Sequence, residues 1–351
     1  MRYTGKRVLV TGGLGFIGSN LVIALVGEGA HVTVIDDLTP GCGGNLYNVE
    51  PVRDSIRLVD ADIGDAPRGV IAGSDVIFNL AGEISHIHSM QFPERDLHIN
   101  TLSQLRFLMA CTEASPGVRV IYAGTRQVYG IPKYLPVDED HEFQPVDFNG
   151  VHKLAATMYH LMLSRIGSID AVVIRLTNVY GPRMALDVVC QGFLSNFVRR
   201  MMLGEPLQIF GDGAQLRDPV YVDDAVEAFL VAGSIQRLPS RSYNTGGPDA
   251  LSLSEIANIA ARIGGLGAPV MVPFPADRKP IDIGSYRTDN RRISRELGWT
   301  PRVRFADGMQ RTYDFFLAAT DQYLQGSHGE APCSMPEHKG GPRRLRYTHV
   351  S

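Results

Sequence analysis

The first half of the chain alternates short apolar runs with longer segments whose apolar residues fall at helical spacing. Residues 7–10 read as a buried strand rich in β-branched side chains. Residues 19–28 read as a helix, with Leu21, Val22, Leu25 and Val26 on one side. Gly29 follows as the expected C-terminal cap. Residues 31–35 form a second strand candidate that closes on Asp36-Asp37. Further strands are expected at 55–60, 75–80, 119–122 and 171–176. Two longer helices stand out. The one at 96–114 carries Leu97, Leu102, Leu105, Leu108 and Met109. The one at 151–164 carries Leu154, Met158, Leu161 and Met162. Both would lie against the sheet, and their remaining apolar residues are open to plain core packing or to a dimer contact. Near-continuous apolar strands separated by helices predict a parallel sheet covered on both faces. Right-handed crossovers then make it doubly wound.

Past about residue 180 the alternation loosens, and proline and glycine become frequent. Short motifs sit between helices there, among them Arg217-Asp218-Pro219-Val220-Tyr221-Val222-Asp223-Asp224 and Tyr243-Asn244-Thr245-Gly246-Gly247-Pro248. The change predicts a first domain over 1–180 and a smaller lobe over 181–320 that closes over the C-terminal ends of the strands. Residues 325–351 are polar, rich in Gly, Pro and Arg, and aperiodic, so a disordered tail is expected.

Charge and cysteine usage narrow the class. A net charge of -3, from 34 basic and 37 acidic residues, gives no reason to expect nucleic acid or an anionic membrane as partner. No apolar run is long enough to span a bilayer, and residues 1–7 are too polar for a secretory leader. Cys42, Cys111, Cys190 and Cys333 are far apart and form no CxxC pair. Reduced thiols in a cytoplasmic protein are expected, and no metal site.

Residues 8–18 read Val-Leu-Val-Thr-Gly-Gly-Leu-Gly-Phe-Ile-Gly. Gly13-x-Gly15-x-x-Gly18 therefore leaves a strand and opens a helix, the context in which this pattern has a mechanism. Glycines let the backbone turn tightly and a diphosphate approach closely. The helix start offers free N–H groups and the positive end of its dipole. Asp36 ends the second strand eighteen residues after Gly18. A carboxylate there accepts hydrogen bonds from the adenosine ribose and repels a 2′-phosphate, so NAD is expected rather than NADP. The fold class is α/β, a Rossmann doubly wound parallel sheet with a smaller C-terminal substrate-binding lobe.

Later segments continue the pattern in order: Asp36-Asp37-Leu38, Asp60-Ala61-Asp62-Ile63, Asn79-Leu80-Ala81-Gly82, Asn100, Thr125-x-x-Val128-Tyr129-Gly130, Lys153, Arg175-Leu176-Thr177-Asn178-Val179-Tyr180-Gly181-Pro182 and Glu296-Leu297-Gly298-Trp299-Thr300-Pro301. Jointly, over about residues 5–320, the chain resembles the extended short-chain dehydrogenase/reductase family, the NAD-dependent nucleotide-sugar epimerases and dehydratases. The resemblance implies a cofactor-binding set of Gly12, Gly15, Phe16, Ile17, Gly18, Asp36, Asp37 and Leu38. Asp62 and Ile63 would flank the adenine. Leu80, Ala81 and Gly82 would line the diphosphate and nicotinamide ribose. Lys153 would bind the ribose hydroxyls, and Asn100 would hold the active-site backbone or a water. Asn178 and Arg217 match positions that hold the substrate diphosphate, with Lys279 or Arg278 as a third positive contact. A nucleotide-diphosphate sugar is the implied substrate, and a homodimer the implied assembly.

In that family a tyrosine, helped by a Ser or Thr and by the lysine, takes a proton from the sugar hydroxyl as NAD oxidises the sugar. Thr125 and Lys153 fill two of these positions. Asn149 fills the third, and an amide cannot take a proton. Three readings stay open. Another base acts, with Glu83, His86 and His88 just past the fourth strand as candidates. Alternatively, a water held by Asn149 and Thr125 relays the proton. The third is a noncatalytic NAD-binding scaffold or sensor. Thr125 is followed by Arg126-Gln127 rather than the acidic pair the resemblance predicts for a 4,6-dehydratase, so only an atypical dehydratase remains. A C4 epimerase with retained NAD demands the fewest extra groups and leads.

Overall fold

The computed structural model describes residues 1–187, 192–276 and 278–324. Its centre is a seven-stranded parallel sheet. Six strands are those expected: β1 (Arg7–Thr11), β2 (His31–Asp36), β3 (Ile56–Asp60), β4 (Val76–Asn79), β5 (Arg119–Thr125) and β6 (Asp170–Leu176). Their order across the sheet is β3-β2-β1-β4-β5-β6, and Ser242–Thr245 adds a seventh strand beside β6. The order of strand addition reverses between β1 and β4, which run parallel, and this opens a crevice at the C-terminal ends of these strands. This is the Rossmann arrangement that the sequence pattern implied.

Side chains alternate across the sheet as the period of a strand requires. Val8 and Val10 of β1 face a core shared with Leu21, Val22 and Leu25 of the helix Phe16–Gly27 and with Ala225 and Phe229 of the helix Val222–Ser234. Leu9 faces the opposite core, with Phe107, Leu108 and Cys111 of the helix Ser103–Ala114 and Leu163 of the helix Phe148–Arg165.

Three departures from the sequence reading bear on the site. First, β5 outlasts its apolar run: Ala123, Gly124 and Thr125 stay paired with Ile174, Arg175 and Leu176, so Thr125 is delivered at the strand end. Second, the helix expected over 96–114 is broken into Pro93–Leu97, a π-turn over His98–Leu102, and Ser103–Ala114. Third, Ser242–Thr245 was read as a motif between helices because it is polar, yet it is a strand with Tyr243, Asn244 and Thr245 fully buried. Partners explain the difference. Asn244 accepts from the Tyr129 hydroxyl and donates to Val137 O, and its backbone N–H donates to Glu139.

Beyond β6 the chain builds three small strand pairs and the helices Phe193–Leu203, Leu253–Ile263 and Phe305–Ala318. Their apolar sides, including Phe197, Ile256 and Met309, join the same core as Leu21 and Phe229. The tail expected over 325–351 lies outside the described residues, as do Cys190 and Cys333. Among the described residues no helix is long and apolar enough to cross a membrane.

Candidate active site

One large cleft runs along the crevice, from the glycine turn to Asn178 and the start of the helix Phe193–Leu203. Its floor is the β1 turn. Gly12 has φ +66°, and a Cβ there would lie 2.7 Å from the Ala81 backbone nitrogen. A Cβ on Gly18 would meet the Gly12 carbonyl oxygen at 2.1 Å. Only glycine lets the turn and the next strand end approach this closely. Gly15 caps the helix Phe16–Gly27 without any side-chain hydrogen bond, and Gly15, Phe16, Ile17 and Gly18 line the cleft. The bare first turn is an anion-binding end.

The wall beside the ends of β2 and β3 is set by short polar side chains that fix their own loops. Asp36 accepts from Leu14 N at 2.9 Å and from Leu38 N at 3.0 Å. Burial raises its pKa, and the two N–H donors oppose that rise. Leu38 takes an uncommon φ of +50° in this turn and does not line the cleft. Asp37 is held by Thr39, and Asp62 caps the short turn Ile63–Asp65 through Gly64 N at 2.6 Å. Asp36, Asp37, Asp62 and Ile63 all line the cleft.

Leu80, Ala81 and Gly82 form the opposite lip. Gly82 has φ +155°, and a Cβ there would lie 2.5 Å from Lys153 Nζ and 2.7 Å from Asn100 Oδ1. Asn100 comes from the π-turn, a kind of helix defect that recurs at functional sites. Its Nδ2 donates to Glu83 O at 3.0 Å, while its Oδ1 is buried with no partner. The Lys153 ammonium is buried beside it, 5.9 Å over the Tyr122 ring, and no carboxylate pairs with it among the described residues. Burial pulls its pKa down to about 8, opposed by the negative charge of Asp96. A glycine cradle, a cleft-lining carboxylate at a strand end, a buried cation without a paired carboxylate and an unmet acceptor fit a dinucleotide.

The reacting end carries Thr125, Asn149, Lys153 and His86 on one cleft. Thr125 Oγ1 accepts from Gln127 N at 3.2 Å, so its own hydrogen is free to donate. Asn149 is buried, and both its amide hydrogens are taken: Nδ2 donates to Glu83 O at 3.0 Å and to Asp96 Oδ2 at 2.9 Å. The carboxylate fixes which amide atom is which, and Oδ1 is the atom left for the cleft. No tyrosine lines the cleft among the described residues.

His86 is the titratable ring on this wall. Its Nδ1 lies 2.9 Å from Asp147 Oδ2; the ring is 37% exposed and the carboxylate 1%. Asp147 Oδ1 accepts from Gly150 N at 2.6 Å, capping the helix that carries Asn149 and Lys153. Gln127 Nε2 also donates to Asp147, at 3.1 Å. Burial works to raise the Asp147 pKa, but the His86 ring, the Gly150 N–H and the Gln127 amide outweigh it and hold the carboxyl below its usual range. An aspartate at Nδ1 sets the proton there and leaves the Nε2 lone pair for chemistry. The sequence reading begins this helix at 151 and gives Asp147 no role. It does not show that the second oxygen reaches His86 across the chain.

Other expected residues lie elsewhere. Glu83 is absent from the cleft lining; its carboxylate faces His88 Nδ1 at 3.3 Å and Arg95 Nε at 3.5 Å. Asn178 lines the cleft, but Arg217 and Lys279 do not. Arg217 Nη1 donates to Leu216 O and Gly284 O, and Lys279 is exposed. Arg126 and Gln127, noted in the sequence only as replacing an acidic pair, both line the cleft.

The pattern of the NAD-dependent epimerase/dehydratase family matches residues 8–246. A UDP-glucose 4-epimerase of Mycolicibacterium smegmatis is 36% identical over 313 residues, covering 88% of this chain and 98% of the relative. The crystal structure of a UDP-glucose 4-epimerase from Thermotoga maritima with UDP-glucose superposes with a TM-score of 0.80 at 29% identity, covering 90% of this chain and 99% of that one. A dTDP-glucose 4,6-dehydratase from Streptomyces venezuelae, crystallised with NAD, gives a TM-score of 0.80 at 28% identity, over 90% and 98% of the two chains. The likeness therefore spans more than one reaction.

Proposed function

The chain belongs to the NAD-dependent epimerase/dehydratase family, and from that premise we propose that it is a nucleotide-sugar epimerase, acting at C4, whose base is a histidine. On this reading residues 1–180 hold NAD and the lobe over 181–320 holds the sugar nucleotide. The observation that carries the proposal is the His86–Asp147 pair on the cleft wall that also bears Thr125 and Lys153.

When bound, NAD supplies reversible two-electron oxidation of a sugar carbinol. The glycine turn and the bare N–H groups of the helix at Phe16 hold its diphosphate. Asp36 receives the adenosine ribose, Asp62 and Ile63 flank the adenine, and Lys153 receives the second ribose. Thr125 donates to the reacting hydroxyl oxygen, and Asn149 Oδ1 accepts from a neighbouring hydroxyl or water. His86 Nε2 takes the hydroxyl proton while Asp147 steadies the resulting imidazolium. The same proton returns when the sugar is reduced from its other face. Elimination of water needs a further acid and base beside Thr125. Arg126 and Gln127 supply neither, which favours epimerisation over dehydration.

The test is incubation of the NAD-loaded protein with UDP-glucose and related nucleotide sugars, with NMR of the product sugar and the absorbance of NADH followed together. Formation of the C4 epimer is the expected result. Bound NAD with neither epimer nor NADH from any sugar would replace the proposal with a noncatalytic NAD-binding role. Deuterium incorporation at C5 would replace it with dehydratase or 5-epimerase chemistry.

Asp36→Asn tests cofactor choice. An amide keeps one acceptor but removes the charge that repels a 2′-phosphate. Hydrogen bonds to a charged group are worth about 1.5–3 kcal/mol, so the preference for NAD over NADP is expected to shrink by roughly tenfold or more. Fluorescence titration of the two reduced cofactors reads this directly, and an unchanged ratio counts against Asp36 as the ribose carboxylate.

A homodimer follows from the outer helix faces. Leu97, Leu102 and Met109 are exposed on one helical run, and Val151, Met158 and Met162 on the helix Phe148–Arg165 packed beside it. Apolar side chains at this spacing suit a second copy of the same surface. Sedimentation is expected to give a dimer in the wild type and a monomer in the Met109→Glu, Met158→Glu double variant. A monomeric wild type would refute it. A cytoplasmic location goes with the same reading, supported by the free thiols of Cys42 and Cys111.

A further inference from the structure

Arg126 is a cleft cation with one donor that no group of the chain meets among the described residues. It follows Thr125 at the end of β5 and lines the cleft. Its Nη2 donates to Asn178 Oδ1 at 3.1 Å, and its guanidinium lies 4.9 Å over the Tyr286 ring. These contacts fix the plane of the group, and the negative charges of Asp218, Asp147 and Asp282 offset only part of the cost of its burial. Nη1 is buried with no hydrogen-bond partner, and no carboxylate pairs with the side chain among the described residues. A buried guanidinium donor without an acceptor is unfavourable unless a group from outside the chain meets it.

The neighbours point the same way. Asn178 uses Oδ1 for Arg126, so its Nδ2 is the edge left to donate. Arg217 lies within electrostatic reach: burial and then the positive charge of Arg126 lower its pKa to about 10. Asp282, 3.9 Å from Arg217, and Asp218 offset part of this repulsion, and an anion placed beside the Asn178 amide and Arg126 Nη1 relieves more of it. Arg217 itself is tied to the carbonyls of Leu216 and Gly284. That leaves Arg126 as the arginine with an unmet donor in the cleft.

We propose that Arg126 is the anion-binding residue of the substrate cleft, where its Nη1 takes a negatively charged oxygen of the nucleotide sugar, from the diphosphate or from a carboxylate on the sugar. The proposal rests on the reading that this cleft receives a nucleotide sugar. It adds a residue that the sequence pattern marked only as a missing acid.

Calorimetric titration of NAD-loaded protein with UDP, UDP-glucose and UDP-glucuronic acid tests it in the wild type, Arg126→Met and Arg126→Lys. The Met variant is expected to bind at least one of the three about tenfold more weakly or worse. Lys, which keeps the charge, is expected to recover part of the loss. Equal loss for all three ligands assigns the diphosphate; a loss confined to UDP-glucuronic acid assigns the carboxylate. Unchanged affinities in Arg126→Met overturn the proposal, as does a loss that Lys leaves at its full size, which would mark a packing role over Tyr286. Arg126→Gln, which keeps a donor and much of the volume, gives the same reading if the Met variant does not fold. A wild type that binds none of the three ligands sinks the nucleotide-sugar reading as well. Wild-type binding with indifferent variants sinks this proposal alone.

Discussion

His86→Gln is expected to lower turnover by about two to three orders of magnitude while NAD content and melting temperature stay at wild-type values. Glutamine keeps the approximate size and a donor for Asp147 but has no lone pair that takes a proton near neutral pH. The ring is partly exposed, so its loss removes little packing. The split between constants is diagnostic: kcat should fall and KM should stay, because His86 is assigned to the proton and not to holding the sugar. Steady-state kinetics on the sugar that turns over will read both. The wild-type pH profile has an alkaline limit of separate origin. Burial brings Lys153 to about 8, so its ammonium is present below that pH and lost as pH rises through it. Activity is therefore expected to decline above about pH 8, in the wild type and in the residual activity of His86→Gln alike. If His86→Gln turns over at the wild-type rate, the proton passes by another route, and a water held by Asn149 and Thr125 takes the assignment.

Gly18→Ala should strip the protein of NAD and lower its stability. The added Cβ would sit 2.1 Å from Gly12 O and 2.9 Å from Gly13 Cα, both backbone atoms. Gly12 cannot yield, since its own α-carbon faces the backbone of Leu80 and Ala81 at positive φ. Strain at one glycine is therefore passed to both lips of the crevice. Overpacking costs typically about 1–3 kcal/mol, and rigid neighbours put this site at the upper end. Gly27→Ala in the same helix is the control, because nothing lies within 4 Å of its added methyl. Cofactor content after purification and thermal melting will separate the two. A Gly18→Ala protein that retains NAD at wild-type occupancy would mean that the turn does not carry the diphosphate.

The parts of this fold that were legible in the sequence are those where local pattern and tertiary role agree. The apolar runs of β1, β4, β5 and β6 are buried on both faces, so their composition alone marks them, and the half-buried edge strand β3 is marked by Ile56, Leu58 and Val59. Ser242–Thr245 escaped because its burial depends on partners, Tyr129, Val137 and Glu139, that lie about a hundred residues away in the chain. The π-turn at His98–Leu102 escaped because its apolar residues still fall near helical spacing; the extra residue per turn shows only in the backbone. At the site, the glycines, Asp36, Thr125 and Lys153 belong to contiguous motifs and were visible. Glu83, His86 and His88 share one short segment, and spacing does not rank them. The structure separates them: Glu83 faces His88 and Arg95, while His86 faces the cleft with Asp147 behind it. Arg126 was read for the acid it replaces, and only its unmet donor gives it a use of its own.

Asn149 has a consequence for any variant that places a tyrosine at this position. Its amide is the donor that, with His152 Nδ1 at 2.7 Å, keeps the buried Asp96 carboxylate satisfied. A phenol at 149 brings one hydroxyl where two N–H groups now serve Asp96 and the Glu83 carbonyl. The asparagine is thus a keystone: Asp96 and the Glu83 carbonyl both depend on its amide, and Asn149→Tyr unsettles both at once. A tyrosine at 149 leaves Asp96 Oδ2 without its present donor, so position 96 is the one to vary alongside it.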